Sequence, residues 1–226
     1  MQVKFCLDPK ERLHLWEMPL PGEEYIVGGD VSEGLEGGDN SCAQILKRSG
    51  FTQVGVWHGM IEPYDFGRTL AYIGYYFNTA LLAIERNANG ITSIDHLRTI
   101  NYPNIYKMQK FDYEVMDYTD RLGWITNAHT RGLIVDSLRD SVRENSIIIN
   151  DPETLAEMKT FVRDKRTGKI KASTGNFDDR VMALAIANYI HRTKYMATAA
   201  KAEDFRKQFE DPGAGSLMRV PGRGGY

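Results

Sequence analysis

The fold is decided by one short stretch near the N-terminus, Tyr25-Ile26-Val27-Gly28-Gly29-Asp30-Val31. This run is apolar and rich in β-forming residues, and it lies between the breaker Pro21-Gly22 and a glycine-rich loop that begins at Ser32. Such a run with such flanks predicts a β-strand. The predicted strand ends at Asp30, so a carboxylate is placed beside the apolar core.

Two more strands are predicted directly after this one, over residues 42–47 and 53–57. The separating segments, residues 34–39 and Ser49-Gly50, are turn-forming, and the second is short enough for a hairpin. We therefore expect three neighbouring strands that pair antiparallel in a meander.

A helix and a further strand are predicted next. Apolar residues between positions 64 and 77 recur at steps of four, three and four, which predicts an amphipathic helix that covers the sheet. Residues 80–84 form a continuous apolar run that is too short for a helix and ends in Glu85. This run predicts a buried central strand.

Helix and strand alternate in the second half of the chain. Thr130 is predicted to cap a helix that runs to about residue 143, residues 147–149 are predicted as a strand, and another helix should begin near Asp151-Pro152. Residues 161–163 and 170–172 predict a hairpin with a basic tip, and residues 178–191 predict a helix that is apolar on most faces.

Composition and charge limit the possible classes of protein. The 226 residues suit one domain, and we expect a lead-in segment over residues 1–22, one domain over 23–196 and a partly disordered Gly- and Pro-containing tail over 197–226. The two cysteines and the absence of zinc-site spacing favour an intracellular protein, and no apolar stretch is long enough to span a membrane. With 28 basic and 30 acidic residues the charge is nearly balanced, so DNA contacts require local basic patches.

Four acidic residues are predicted to lie where strands or helices begin or end: Asp30, Glu85, Asp178 and Asp179. A carboxylate beside apolar core loses solvation, and several converging carboxylates require a compensating cation. Mg²⁺ and Mn²⁺ prefer oxygen ligands, and two such ions can promote phosphodiester hydrolysis. The alternative is that these acids are ordinary loop residues and a helix N-terminal pair that the helix dipole favours.

Several segments together resemble the C-terminal nuclease domain of the large terminase subunit of tailed bacteriophages. They are residues 16–19 with 25–30, residues 34–41, residues 84–90 and residues 177–180, so the similarity extends from about residue 16 to residue 190. Residues 123–127, followed by Arg131, resemble the family's stretch before its mid-domain helix, where a lysine is more usual.

This resemblance implies an α/β, ribonuclease H-like fold: a mixed β-sheet with three antiparallel strands followed by parallel pairing, flanked by α-helices. It implies an endonuclease that cleaves double-stranded viral DNA during genome packaging by two-metal-ion hydrolysis. The catalytic and metal-binding residues are then Asp30, Glu85, Asp178 and Asp179, with two Mg²⁺ or Mn²⁺ ions. Of the acidic pair, resemblance favours Asp179 as the primary ligand.

The same resemblance implies partners and a location. A portal protein, a small terminase subunit and an ATPase motor domain are expected, and the sequence itself contains no phosphate-binding loop of the G-x-x-x-x-G-K-[ST] type. We expect the protein in the host cytoplasm, transiently docked on the procapsid.

A basic segment is the candidate DNA contact. Lys165, Arg166 and Lys169 lie at the tip of the predicted hairpin, and Arg131 is a further candidate. Lysine and arginine neutralise phosphates and dominate non-specific DNA affinity. The alternative is a solvated surface hairpin.

Other interpretations stay open at the level of sequence. A resolvase- or integrase-like nuclease would share the acids, an actin-like ATPase would need additional glycine loops, and a non-catalytic module would bind portal or small terminase. Asp39 suits either a turn or an approach to the metals. No catalytic role is assigned to the scattered histidines His58, His96, His129 and His191.

Overall fold

Strands and helices alternate along the part of the chain that the computed structural model describes, residues 10–35, 37–112, 116–163, 170–172 and 178–193. The strands are β1 (Leu13–Leu15), β2 (Tyr25–Asp30), β3 (Ser41–Lys47), β4 (Thr52–Gly59), β5 (Leu81–Ile84), β6 (Lys107–Asp112), β7 (Asp117–Leu122), β8 (Phe161–Arg163) and β9 (Ile170–Ala172). The helices are α1 (Pro63–Tyr76), α2 (Ala88–Thr99), α3 (Ala128–Arg143), α4 (Pro152–Thr160) and α5 (residues 179–193).

The main sheet has five strands in the order β1-β4-β3-β2-β5. Strand β3 pairs antiparallel with both β2 and β4, and β5 runs parallel to β2. The predicted meander and the predicted change from antiparallel to parallel pairing are therefore confirmed. The α/β fold class is confirmed with them.

Helices cover both faces of this sheet, and the alternation of side chains along β2 shows why. Successive strand residues point to opposite faces. Val27 therefore packs in a core with Phe66 of α1 and Ile94 of α2, whereas its neighbour Ile26 packs with Ile134 of α3 and the apolar residues of α5. The result is a three-layer arrangement with β2 at its centre.

Gly28 allows α5 to lie directly on β2. A Cβ atom at position 28 would stand 2.0 Å from the backbone oxygen of Ala183 and 2.9 Å from the Cβ of Ala187, both in α5. Glycine inside a strand commonly marks such a close backbone approach. The contact places the first residues of α5 beside the end of β2.

Strand β5 is buried as predicted, but the prediction that it is central was wrong. It is last in the strand order, and all four of its residues are nevertheless buried. Its outer edge is covered by isolated bridges, in which Leu82 pairs with Ile105 and Glu85 pairs with Trp124. Segments outside the regular strands therefore bury β5, as its apolar sequence had indicated.

The predicted strand over residues 147–149 was also wrong. Only Ile148 pairs, with Thr52, through hydrogen bonds to the backbone of Phe51 and Gln53. The next two backbone N–H groups, of Asn150 and Asp151, donate to the side-chain oxygen of Gln53 at 2.7 Å each. A glutamine side chain thus accepts the donors that a continuing strand would have paired.

Thr130 does not cap α3 from the position that was predicted. The N-cap is Asn127, whose side chain accepts from the backbone N–H groups of His129 and Thr130, and the Thr130 hydroxyl accepts a hydrogen bond from the Asn127 backbone N–H at 2.8 Å. This reciprocal pair is a capping box. The helix therefore begins two residues before Thr130.

The remaining predictions divide into those confirmed and those outside the described residues. Helix α1, helix α4 with its start at Asp151-Pro152, and the β8–β9 pairing are confirmed. The sequence analysis did not predict α2, the β6–β7 hairpin or β1, which lies within the predicted lead-in segment. The hairpin tip over residues 164–169 and the tail over 197–226 lie outside the described residues.

None of the helices in the described part of the chain has the length and apolar character that a membrane span requires.

Candidate metal centre

Asp30 and Glu85 meet because two parallel strands end side by side. Gly29 of β2 lies opposite Ile84 of β5, and the Glu85 backbone N–H donates to the Gly29 oxygen at 2.7 Å. Burial raises the pKa of Asp30 well above its ordinary value, and the hydrogen-bonded, negatively charged Glu85 raises it further. Asp179 and Asp178 add to the same upward shift of this pKa. The other three predicted acids therefore all act electrostatically on Asp30.

Asn87 holds the Glu85 side chain in place. Its Nδ2 donates to Glu85 Oε2 at 3.1 Å and to the Val31 backbone oxygen at 3.1 Å. Its Oδ1 accepts from the Gly90 N–H at 2.6 Å, as the N-cap of α2. One side chain thus joins the ends of β2 and β5 to the start of α2.

Asp178 and Asp179 lie at the N-terminal end of α5 and contact different groups. Asp179 is only 4% exposed, and its Oδ2 accepts from the Asn40 backbone N–H at 3.3 Å and lies 3.6 Å from His58 Nε2. Asp178 is more exposed and forms an ion pair with Nη2 of Arg131. Asp178 immediately precedes α5 and Asp179 is its first residue, so the two side chains leave different backbone conformations and the carboxylates diverge.

A cleft of about 620 Å³ opens over these side chains. The acidic residues that line it are Asp30, Glu33, Asp39, Glu85, Asp178 and Asp179. Burial, followed by the charges of Asp179 and Asp178, raises the pKa of Asp39. Asp39 lines the same cleft as the acidic pair, which favours its approach to the site over an isolated turn role.

The chemistry of this cleft fits a hard divalent cation. Carboxylate oxygens predominate, and these are the ligands that Mg²⁺ and Mn²⁺ prefer. As the side chains stand, no group of three acidic, histidine or cysteine residues in the described part of the chain is arranged to hold an ion directly. Two carboxylates are turned towards protein partners, Asp178 to Arg131 and Asp179 to Asn40 and His58. Ion binding by Asp178 therefore requires it to leave Arg131, whereas these two contacts of Asp179 both engage its Oδ2.

Arg131 is the one basic side chain among the described residues that line the cleft. Besides its ion pair with Asp178, its guanidinium lies 5.9 Å from the ring centroid of Phe161, the first residue of β8. The other predicted DNA contacts, Lys165, Arg166 and Lys169, lie outside the described residues. They remain predictions.

The sequence analysis assigned no role to three residues that adjoin the site. His58, at the end of β4, contacts Asp179, and Arg180 and Glu157 form an ion pair directly behind it. His58 and Arg180 are separated by 122 positions along the chain. No local motif marks such a contact, although a basic residue directly after two aspartates was a signal that the sequence offered.

Similar folds are found among solved structures of phage nucleases. The large terminase nuclease from thermophilic phage G20c with bound magnesium superposes with a TM-score of 0.63 at 16% identity, over 80% of this chain and 88% of that one. The large terminase nuclease domain of Thermus phage P74-26 gives a TM-score of 0.59 at 16% identity, over 80% and 86% of the two chains. Comparison with models of known protein families finds no match. At this identity the likeness shows a common fold, and the predicted resemblance is confirmed at that level.

Proposed function

We propose that this chain is a divalent-metal-dependent endonuclease that cleaves double-stranded DNA during viral genome packaging. The observation that carries the proposal is the convergence of Asp30, Glu85, Asp178 and Asp179 in one acidic cleft. These residues come from two strand ends and one helix start, and the raised pKa of Asp30 reflects their mutual repulsion as well as burial. A cluster of this kind is stable as carboxylates when a cation offsets its charge.

The solved structures of similar fold support the same chemistry. Phage G20c large terminase nuclease has been solved with magnesium, with cobalt and with zinc bound. For this chain we propose Mg²⁺ or Mn²⁺ as the physiological ion, and a pair of ions as the working state.

Three of the four acidic residues have a defined part as metal ligands in this proposal. Asp30 and Glu85 would bind the ions from the sheet, and Asp179, the more buried of the pair, would bind them from α5. When bound, the ions supply activation of a water and stabilisation of the leaving oxygen. Asn87 keeps the Glu85 carboxylate directed by its hydrogen bond, so that Glu85 does not have to be ordered by the substrate.

Arg131 is the proposed contact to the DNA backbone at the cleft. An acidic cleft repels phosphate, so DNA binding there depends on bound cations and on basic side chains. Asp178 holds Arg131 at the cleft through an ion pair. If the Arg131 guanidinium moves from this carboxylate to a DNA phosphate, its positive charge remains paired. Lys165, Arg166 and Lys169 would extend the basic contact along the backbone.

The packaging context is proposed from fold similarity. A portal protein, a small terminase subunit and an ATPase motor would be the partners, in the host cytoplasm at the procapsid. The related alternatives are a resolvase- or integrase-like nuclease and a non-catalytic packaging module.

Plasmid cleavage tests this proposal. The purified chain is incubated with supercoiled plasmid in Mn²⁺, Mg²⁺ or EDTA, beside Asp30→Asn and the exposed control Asp95→Asn. We expect nicked and linear DNA in Mn²⁺ for the parent and for Asp95→Asn, and intact plasmid in EDTA and for Asp30→Asn.

Each other outcome has a separate meaning. Intact plasmid under every condition, from folded protein, would favour the non-catalytic module. Cleavage confined to branched junction DNA would favour the resolvase type. Cleavage that persists in EDTA would contradict the metal-dependent mechanism.

A further inference from the structure

A buried cluster of charged groups lies directly behind the cleft, outside the set of proposed ligands. Its centre is Arg180, whose Nη1 donates to Glu157 Oε1 at 3.0 Å and whose backbone N–H donates to Glu157 Oε2 at 3.0 Å. The side chains of Arg180 and Glu157 are only 17% and 13% exposed. Both oxygens of Glu157 are therefore engaged by one residue of α5.

The backbone contact has a consequence for α5. The first N–H groups of a helix have no partner within the helix. Glu157, from α4, accepts one of these N–H groups, at the residue that follows Asp179. A carboxylate at this position also interacts favourably with the helix dipole. Glu157 thus fixes the end of α5 that bears both proposed ligands.

His58 extends the cluster to the carboxylate itself. Its Nε2 lies 3.3 Å from Arg180 Nη1, within hydrogen-bond distance, and 3.6 Å from Asp179 Oδ2. Because arginine can only donate, Nε2 accepts from Arg180 and does not at the same time donate to Asp179. His58 therefore supports the Arg180 guanidinium and packs beside the Asp179 carboxylate, whereas the link from Glu157 to Asp179 runs through the Arg180 backbone. The Asn40 N–H is the donor that orients the Asp179 carboxylate.

Helix α4 is itself anchored, so the link begins at a fixed point. The Asp151 Oδ2 accepts from the backbone and the hydroxyl of Thr154, and lies 3.3 Å from Arg180 Nε. Gln44 of β3 donates to the Thr154 hydroxyl at 2.9 Å and to the Arg180 backbone oxygen at 3.2 Å. The main sheet, α4 and α5 are thereby joined by buried hydrogen bonds.

We propose that Glu157 is a positioning residue, which acts through Arg180 to hold the start of α5, and with it Asp179, for divalent-ion binding; His58 supports Arg180 as a further acceptor. This inference rests on the proposed function, because it takes Asp179 as a ligand. Groups that orient metal ligands typically change metal affinity by about 10–100-fold when they are replaced. Glu157→Gln keeps the shape of the side chain, removes its charge and leaves one acceptor for the two Arg180 donors, so it weakens this contact without opening a cavity.

The test is the Mn²⁺ dissociation constant of the full chain, measured by calorimetry for the parent and variants. Glu157→Gln and His58→Ala should bind Mn²⁺ about 10-fold or more weakly. His58→Gln should bind nearly as the parent does, because its amide oxygen can still accept from Arg180 Nη1. Glu153→Gln is the matched control, an exposed glutamate on the same helix, and should leave the constant unchanged.

A second readout separates positioning from simple stabilisation. Plasmid cleavage by Glu157→Gln should recover towards the parental rate at saturating Mn²⁺, whereas Asp179→Asn should not recover. A purely structural role for Glu157 would lower the melting temperature and leave the Mn²⁺ constant of the folded protein unchanged. If Glu157→Gln fails to fold, His58→Ala and His58→Gln carry the same test.

Two failures are distinguishable. Parental Mn²⁺ affinity in both Glu157→Gln and His58→Ala would overturn the positioning role and leave the proposed function intact. A parent chain that is folded and binds no Mn²⁺ would overturn both.

Discussion

Removal of the Asp30 carboxylate should have opposite effects on stability with and without divalent ions. Burial and the neighbouring acids raise the pKa of Asp30 in the folded chain. Its charged form therefore destabilises the fold, and this cost grows as pH rises above the ordinary value of 3.8 and is fully present above the raised pKa. At pH 8 in EDTA, Asp30→Asn removes the cost.

The length of the domain determines how far each change in the free energy of unfolding shifts Tm. Removal of one poorly compensated carboxylate stabilises by about 1–2 kcal/mol, which raises Tm by roughly 2–8 °C at about 2–4 °C per kcal/mol. An ion present at about 100 times its Kd stabilises the parent by about 2.7 kcal/mol, or roughly 5–11 °C. Asp30→Asn lacks a ligand and should gain far less, so the order of the two melting temperatures reverses when Mn²⁺ is added.

Thermal melts in EDTA and in Mn²⁺ measure this reversal. The control is Asp95→Asn, which removes an exposed carboxylate paired with Arg98 at 3.2 Å and should change stability by no more than about 1 kcal/mol in either condition. A lower Tm for Asp30→Asn in EDTA would refute the proposed repulsion. An Mn²⁺ shift equal to that of the parent would refute its role as a ligand.

Three further outcomes follow from the structure. Asp179→Ala should weaken Mn²⁺ binding more than Asp178→Ala, since Asp179 is buried beside the other acids whereas Asp178 is paired with Arg131; calorimetry that ranks them in reverse would contradict this order. Gly28→Ala should destabilise by about 1–3 kcal/mol in chemical denaturation, because its Cβ meets the α5 backbone, and a neutral effect would contradict the close packing. Replacement of the basic hairpin residues by alanine should reduce the log–log salt slope of DNA binding by about 0.9 for each phosphate that they neutralise, and an unchanged slope would make them ordinary surface residues; these residues are Lys165, Arg166 and Lys169.

Local sequence patterns predicted the parts of the fold that depend on a segment's own periodicity and its breakers. The apolar run that ends at Asp30, the short run before Glu85 and the amphipathic spacing of α1 each indicate their structure within a few residues. The same patterns failed where a distant side chain or backbone supplied the partner. Residues 147–149 have the pattern of a strand, yet the Gln53 side chain accepts the next N–H groups and ends the pairing.

Local sequence patterns likewise predicted some features of the candidate site and missed others. The positions of the carboxylates, at the ends of two apolar strands and at the start of an apolar helix, could be predicted because each polar residue directly adjoins its apolar run. The pairing of Asp178 with Arg131, the approach of His58 to Asp179 and the cap that Glu157 forms on α5 could not. These contacts join residues far apart in the chain. They arise from the packing of α4 and α5 against the sheet, which no local period specifies.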